Sequence, residues 1–335
     1  MVKPIRFAAA VLAFLAAALP AVAEDKPTLT IYTYDGFAAE WGPGPGLKQG
    51  FEAECGCTLK WVGVDSSIGT LRRVQLEGAT TEADMILGLD TSIAGEARAT
   101  GLFADHGLEL TGLDLPITWT DKQFVPFDWG YFAFVYDKTK VPNPPKSFEE
   151  LIAEPESFKI VVEDPRSDTP GLGLLLWIKA AYGDRAPEIW KGLKPHILTM
   201  AKTWSEGYGL FIKGEADMAL SYTTSPAYHA IEEDNPNYAF ASFTEGHYPQ
   251  IEVAGILKSS RHQELAKQFL QYLTSKDGQK GIPTANWMYP VVDLGDSLPP
   301  AFTDQPKPEK VVQLDEATIT AQSKAWIDEA LAALQ

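Results

Sequence analysis

Eight aromatic residues stand where a strand or helix is expected to end: Tyr34, Trp41, Trp204, Tyr208, Tyr222, Tyr228, Trp287 and Tyr289. Aromatic faces stack on flat heterocycles and attract cations through the ring quadrupole. Core packing is the commoner fate of any one ring, and Trp177 and Trp190 read as core. Trp204 is harder to place inside, because Thr203 and Ser205 flank it. Asp35, Asp65 and Asp90 lie at neighbouring strand ends, where a carboxylate either caps a turn or accepts a hydrogen bond from an exocyclic amine. The stretch KIVVEDPRSDTPGLGLLLWIKAAYGD at 159–184 adds a third element. It reads as a buried strand, a polar turn from Asp164 to Thr169, and a helix entered at Pro170-Gly171, with Thr169 as the expected cap. Free N–H groups at such a helix start attract anions, phosphate in particular. No Gly-Lys-Ser/Thr is present, which excludes a nucleotide-hydrolysing P-loop. Rings, carboxylates and an anion-accepting helix start suit a flat, cationic heteroaromatic molecule with or without a phosphate at one end.

Other chemistry is poorly supplied. The two cysteines are Cys55 and Cys57, spaced as Cys-Gly-Cys, and read as a local disulfide or two free thiols. With no histidine nearby they lack both a base to activate a nucleophile and further ligands for a metal. The five histidines, at 106, 196, 229, 247 and 262, show no metal-ligand spacing. The chain is therefore expected to be no enzyme and to hold no cofactor.

Positioning these groups needs strands that end at one edge. Alternating β-branched and helical stretches predict strands at 28–33, 58–64 and 84–87 with helices at 46–54, 68–77 and 91–100 between them. That βαβαβα order implies a parallel sheet with right-handed crossovers. FVPFDWGYFAFVY at 124–136 breaks the rhythm and reads as a crossing into a second α/β lobe. That lobe has strands at 160–162, 197–201, 216–221 and 238–241. QIEVAGIL at 250–257 reads as the return crossing, 283–292 as extended, and 316–334 as a closing helix. The expected architecture is α/β, with two parallel-rich lobes joined by a two-strand hinge. Residues 24–125 and 248–335 form lobe 1 and residues 126–247 form lobe 2. Ligands of open α/β sheets bind beyond the carboxyl ends of the strands. Tyr34-Asp35, Asp65–Ser67, Gly88–Asp90, Asp164–Thr169, Thr203–Ser205 and Tyr222–Ser225 all lie at such ends and would line one cleft.

Length and charge fit this reading. A chain of 335 residues has room for two lobes. Lys3 and Arg6, the apolar run from Phe7 to Leu19, and Ala21-Val22-Ala23 read as a signal peptide over 1–23, cleaved after Ala23 and followed by an exported, periplasmic chain. The formal charge of −17 argues against nucleic-acid or anionic-membrane partners.

Six blocks carry a family resemblance: IYTYDGFAAEWGPGPG at 31–46, FVPFDWGYFAFVYDK at 124–138, DPRSDTPGLGLLLW at 164–177, WSEGYGLFIKGEAD at 204–217, SYTTSPAYH at 221–229 and IPTANWMYPV at 282–291. With them the chain resembles the periplasmic thiamine-binding proteins of bacterial ABC importers over almost all of its length. The resemblance implies a type II periplasmic binding fold and a monomer. The implied ligand is thiamine, thiamine monophosphate or thiamine diphosphate, delivered to an inner-membrane ABC permease with its ATPase. Carried over by position, Trp41, Trp204, Tyr222, Tyr228 and Trp287 would hold the ligand, with Tyr34 nearby. Ser66-Ser67, Asp168-Thr169 and the turn Tyr222-Thr223-Thr224-Ser225 would add polar contacts. Two positions depart from the family pattern. Ser66-Ser67 stands where Asp-Gly is expected, so either the acidic contact there is missing or Asp65 replaces it. Asp168-Thr169 stands where Ser-Thr is expected, and a carboxylate at the phosphate end, unless Arg166 or the helix dipole offsets it, implies a stronger preference for free thiamine over its phosphates than in the relatives. The alternatives are the same fold binding ferric iron or a phosphonate, and a thiamine-degrading enzyme.

Overall fold

The computed structural model describes residues 26–335, so the signal-peptide assignment at 1–23 lies outside the described residues. The first run is β1 (Thr28–Tyr34), α1 (Asp35–Ala38), α2 (Gly44–Cys55), β2 (Thr58–Val64), α3 (Ser67–Glu77), β3 (Met85–Asp90) and α4 (Ala94–Ala99). The long strand β4 (Phe124–Asp137) opens a second run. It continues with α5 (Phe148–Ile152), β5 (Ile160–Glu163), α6 (Thr169–Tyr182), α7 (Ala186–Leu193), β6 (Ile197–Ala201), α8 (Trp204–Ile212), β7 (Met218–Tyr222), α9 (Pro226–Glu232) and β8 (Tyr238–Phe240). The strand β9 (Pro249–Ile256) then leads to α10 (Gln263–Leu273), α11 (Lys276–Gln279), β10 (Tyr289–Pro290), α12 (Pro300–Thr303) and α13 (Glu316–Ala333).

The strands pair in the order β2-β1-β3-β9-β4-β7-β5-β6, with β8 and β10 added to β4. The outer strands on each side are mutually parallel, as βαβ units require. The two crossings, β9 and β4, run antiparallel to each other and to every strand they pair with, β8 and β10 included. Both crossings are buried along nearly their whole length, which explains their continuous apolar and aromatic sequence.

Aromatic residues fill the core on either side. Trp177 on α6 packs among Phe134, Phe148 and Phe243 and donates its indole N–H to the Gly246 carbonyl at 2.8 Å. Phe37, Phe127, Phe51 and Phe269 form the counterpart under α1, α2 and α10. The closing helix α13 packs against α4, α6 and α7.

The stretch 283–292 corrects the expectation of extended chain. Residues Ile282–Asn286 form a wide helical turn, Trp287 takes a left-handed φ of 58°, and only Tyr289–Pro290 pair with β4. Pro283 suits the first turn of that helix, so it starts a helical element rather than an extended one. Cys55 and Cys57 are joined in a disulfide.

Candidate functional site

The strand ends converge on one cavity of about 350 Å³, near the lower end of the roughly 300–1,000 Å³ range of small-molecule sites. Aromatic rings from both runs of the chain form its walls. Trp204, the first residue of α8, stacks on Tyr208 with ring centroids 4.9 Å apart and planes 18° apart. Its indole N–H donates to Ser221 Oγ at 2.9 Å, and Ser221 in turn bonds Ser225 Oγ at 2.7 Å. Tyr222 at the end of β7 stacks on Phe132 at 5.3 Å and donates its hydroxyl to Gln250 Oε1 at 2.8 Å. Trp287 faces the cavity from its left-handed backbone position, and non-glycine residues held this way cluster at ligand clamps. Trp41 is 61% exposed at the rim. An exposed indole over a cleft is free to close on a ligand.

Side chains across the cleft are clasped to each other. Ser67, at the start of α3, donates its hydroxyl to Asp168 Oδ1 at 2.7 Å, and Thr169 N donates to Ser67 Oγ at 3.1 Å. Lys202 forms an ion pair with Asp65 between the same two edges. Asp168 also accepts from Trp204 N at 2.8 Å and caps α6 through Thr169 N at 3.2 Å. The cap of α6 is therefore Asp168, and Thr169 is the first helical residue. Burial raises the Asp168 pKa, while the bonds from Ser67, Trp204 N and Thr169 N and the positive helix end favour its carboxylate, so the donors expected to meet a phosphate already serve this side chain. Gly171 lets the helix approach β5, since a Cβ there would lie 2.4 Å from the Glu163 carbonyl oxygen. Arg166, the expected offset to the Asp168 charge, pairs with Asp164 instead. It depresses the Asp164 pKa.

The floor is acidic and comes from residues that sequence reasoning missed. Glu252 on β9 lines the cavity, and Asp128 on β4 is its direct register partner. Asn286 donates its amide to Glu252 Oε2 at 3.2 Å and also to Asp128. Tyr34 donates its hydroxyl to Glu252 Oε2 at 3.0 Å. Burial pushes the Asp128 carboxyl up to about 7 and Glu252 well above the carboxylate range. Asp90, also buried, is pushed by burial to about 6. Two irregularities aim this floor. A bulge between Pro126 and Asp128 brings Asp128 opposite Glu252, and Gly88, at φ 99°, makes the bulge in β3 that leaves room for the Tyr34 ring.

Of the expected contacts, Tyr34, Trp41, Asp65, Ser66, Ser67, Asp168, Thr169, Trp204, Tyr222, Ser225 and Trp287 line the cavity. Thr223 and Thr224 are buried behind it, and Tyr228 sets its edge against Trp287 at 5.1 Å, outside the wall. Among the described residues Lys202 is the one basic side chain lining the cavity, and it pairs with Asp65. Glu252 and Asn286 had a weak signal in sequence: a carboxylate inside an otherwise apolar crossing strand, and an amide beside Trp287. Tyr222 is hydrogen-bonded to Gln250, and burial holds its pKa well above that of a free phenol.

A sequence model described as bacterial extracellular solute-binding protein matches residues 26–280. The thiamine-binding periplasmic protein of Escherichia coli K12 is 50% identical over 304 residues, covering 91% of this chain and 92% of its own length. The protein of the same name from Brucella suis is 47% identical and covers 96% of each chain. A solved structure named periplasmic thiamin binding protein superposes with a TM-score of 0.90 at 49% identity, covering 92% of this chain and 97% of its own. Iron-bound HitA from Pseudomonas aeruginosa superposes at 0.71 with 21% identity, covering 91% of this chain and 99% of its own, a likeness of fold alone. The chain belongs to the bacterial extracellular solute-binding protein family, with the type II fold, and within it to the group named thiamine-binding periplasmic proteins.

Proposed function

We propose that this protein captures thiamine in the cleft between its two lobes and delivers it to an ABC permease. The observation that carries this is the pairing of three ring faces, Trp204, Tyr222 and Trp287, with an acidic floor at Glu252. A thiazolium cation gains from stacking and from the ring quadrupoles, and a buried carboxyl accepts hydrogen bonds from an amine. The relatives' names support the same ligand. The lobes we assign are 24–125 with 248–335, and 126–247, hinged where β4 and β9 cross. The clasps Ser67–Asp168 and Asp65–Lys202 bridge these lobes, so ligand would select the closed state of an open–closed equilibrium. The same reading gives a monomer working in the periplasm after cleavage behind Ala23, with a partner permease driven by its own ATPase. It involves no catalysis: the family is one of binding proteins. The test is quenching of tryptophan fluorescence by thiamine in protein refolded free of ligand. Saturable quenching that is lost in Trp204→Ala and Trp287→Ala supports the assignment. Quenching unchanged in both variants removes it.

A further inference from the structure

Asp128 and Glu252 face one another across β4 and β9, the two strands that cross between the lobes. Their exposures are 0% and 5%. Groups facing the pair are Tyr34 from β1, Asp90 from β3 and Asn286 from the turn before Trp287. Among the described residues no lysine, arginine or histidine bonds to either carboxyl. Asp128 Oδ1 receives no donor of its own, although it is buried. Two adjacent carboxyls without a cation cannot both ionise, so they share a proton. The raised pKa values agree. An acid pair buried without compensation is costly, and here one member opens onto the cavity.

With the shared proton on Glu252 and turned to the cavity, that carboxyl presents one donor and one acceptor side by side. An aminopyrimidine presents the complement: an exocyclic amine beside a ring nitrogen. Tyr222 and Trp204 line the same cavity as Glu252 and offer rings for stacking, while the hydroxyl of Tyr34 and the amide of Asn286 fix the Glu252 carboxyl in place. We infer that Glu252, with Asp128 behind it, is the subsite for the aminopyrimidine edge of the ligand. Glu252 touches the ring, and Asp128 is a positioning residue that acts through it. This rests on the reading of the cleft as a thiamine site.

The test titrates ligand-free protein calorimetrically with thiamine and with its analogue lacking the 4-amino group. Native protein should bind thiamine about 100-fold or more tightly than the analogue, because the analogue leaves a buried acceptor unpaired. Glu252→Gln keeps one donor and one acceptor and should retain most of that gap. Glu252→Met offers neither and should bind the two within about threefold of one another. Asp128→Asn should weaken thiamine while preserving the gap. Equal affinities for both compounds in native protein, or a full gap in Glu252→Met, overturn the subsite. Native protein that binds neither compound overturns the thiamine reading itself, and this outcome is distinct from the other two. The native comparison needs no variant, so a Glu252→Met protein that failed to fold would leave the subsite testable.

Discussion

Replacing Asp168 by asparagine should change which form of thiamine this protein prefers. The side chain caps α6, accepts from Ser67 and Trp204 N, and lines the cavity at the end where a phosphate tail would meet the helix. A phosphate charge about 5 Å from an ionised carboxylate meets about 3 kcal/mol of repulsion at an effective dielectric of about 20. The positive end of α6 offsets roughly 1 kcal/mol of that. The remaining penalty of about 2 kcal/mol corresponds to about 30-fold in affinity. Asparagine caps a helix about as well as aspartate, so α6 should still form, although its single amide oxygen cannot serve Thr169 N and Trp204 N together. The assay is calorimetric titration of both proteins with thiamine and thiamine diphosphate. Native protein should favour thiamine by about 30-fold, and Asp168→Asn should bring the two ligands within about threefold while thiamine affinity itself barely moves. Native protein that binds the diphosphate as tightly as thiamine, or a gap that survives in the variant, would refute this reasoning.

Trp204→Ala removes a stacking face and the bond to Ser221, and should weaken thiamine binding by about 1–3 kcal/mol in a fluorescence or calorimetric titration. Tyr228→Ala, which touches the ligand wall only through Trp287, should cost less than about 1 kcal/mol in the same titration. Asp128, Glu252 and Asp90 have folded pKa values above their unfolded ones, so the folded state holds extra protons. Their contribution to stability is intact below about pH 4 and falls as pH rises toward about 6 for Asp90 and about 7 for Asp128. Ligand-free Asp128→Asn should accordingly lose less melting temperature than native protein between pH 5 and 8, read by circular dichroism. Replacing both Cys55 and Cys57 by serine should lower stability by less than about 2 kcal/mol in denaturant titration, because the bond closes a loop of only a few residues.

Much of the fold was legible because its strands are short, β-branched and bounded by turn residues. Thr58–Val64, Ile197–Ala201 and Gln263–Leu273 fall where periodicity put them. The meeting of the turns at Ser66-Ser67, Asp168-Thr169 and Trp204 around one cavity was legible because strand ends in an open α/β sheet share one edge. The acidic floor was not legible. Asp128 and Glu252 meet only through the antiparallel register of the crossings, which a bulge shifts by one residue, and no local pattern reports that. Likewise Pro283–Asn286 reads as extended chain from composition, and it is the packing of Trp287 and Tyr289 against Tyr228 and Trp129 that accompanies the helical turn. Tyr228, expected at the ligand from its place after Pro226, lies in the first turn of α9 with its ring edge-on to Trp287.

The central claim is capture of thiamine between the lobes, and the most direct measurement is calorimetric titration of refolded, ligand-free protein with thiamine. One site per chain with submicromolar affinity is predicted. Titration without heat of binding, in protein shown by circular dichroism to be folded, would contradict it.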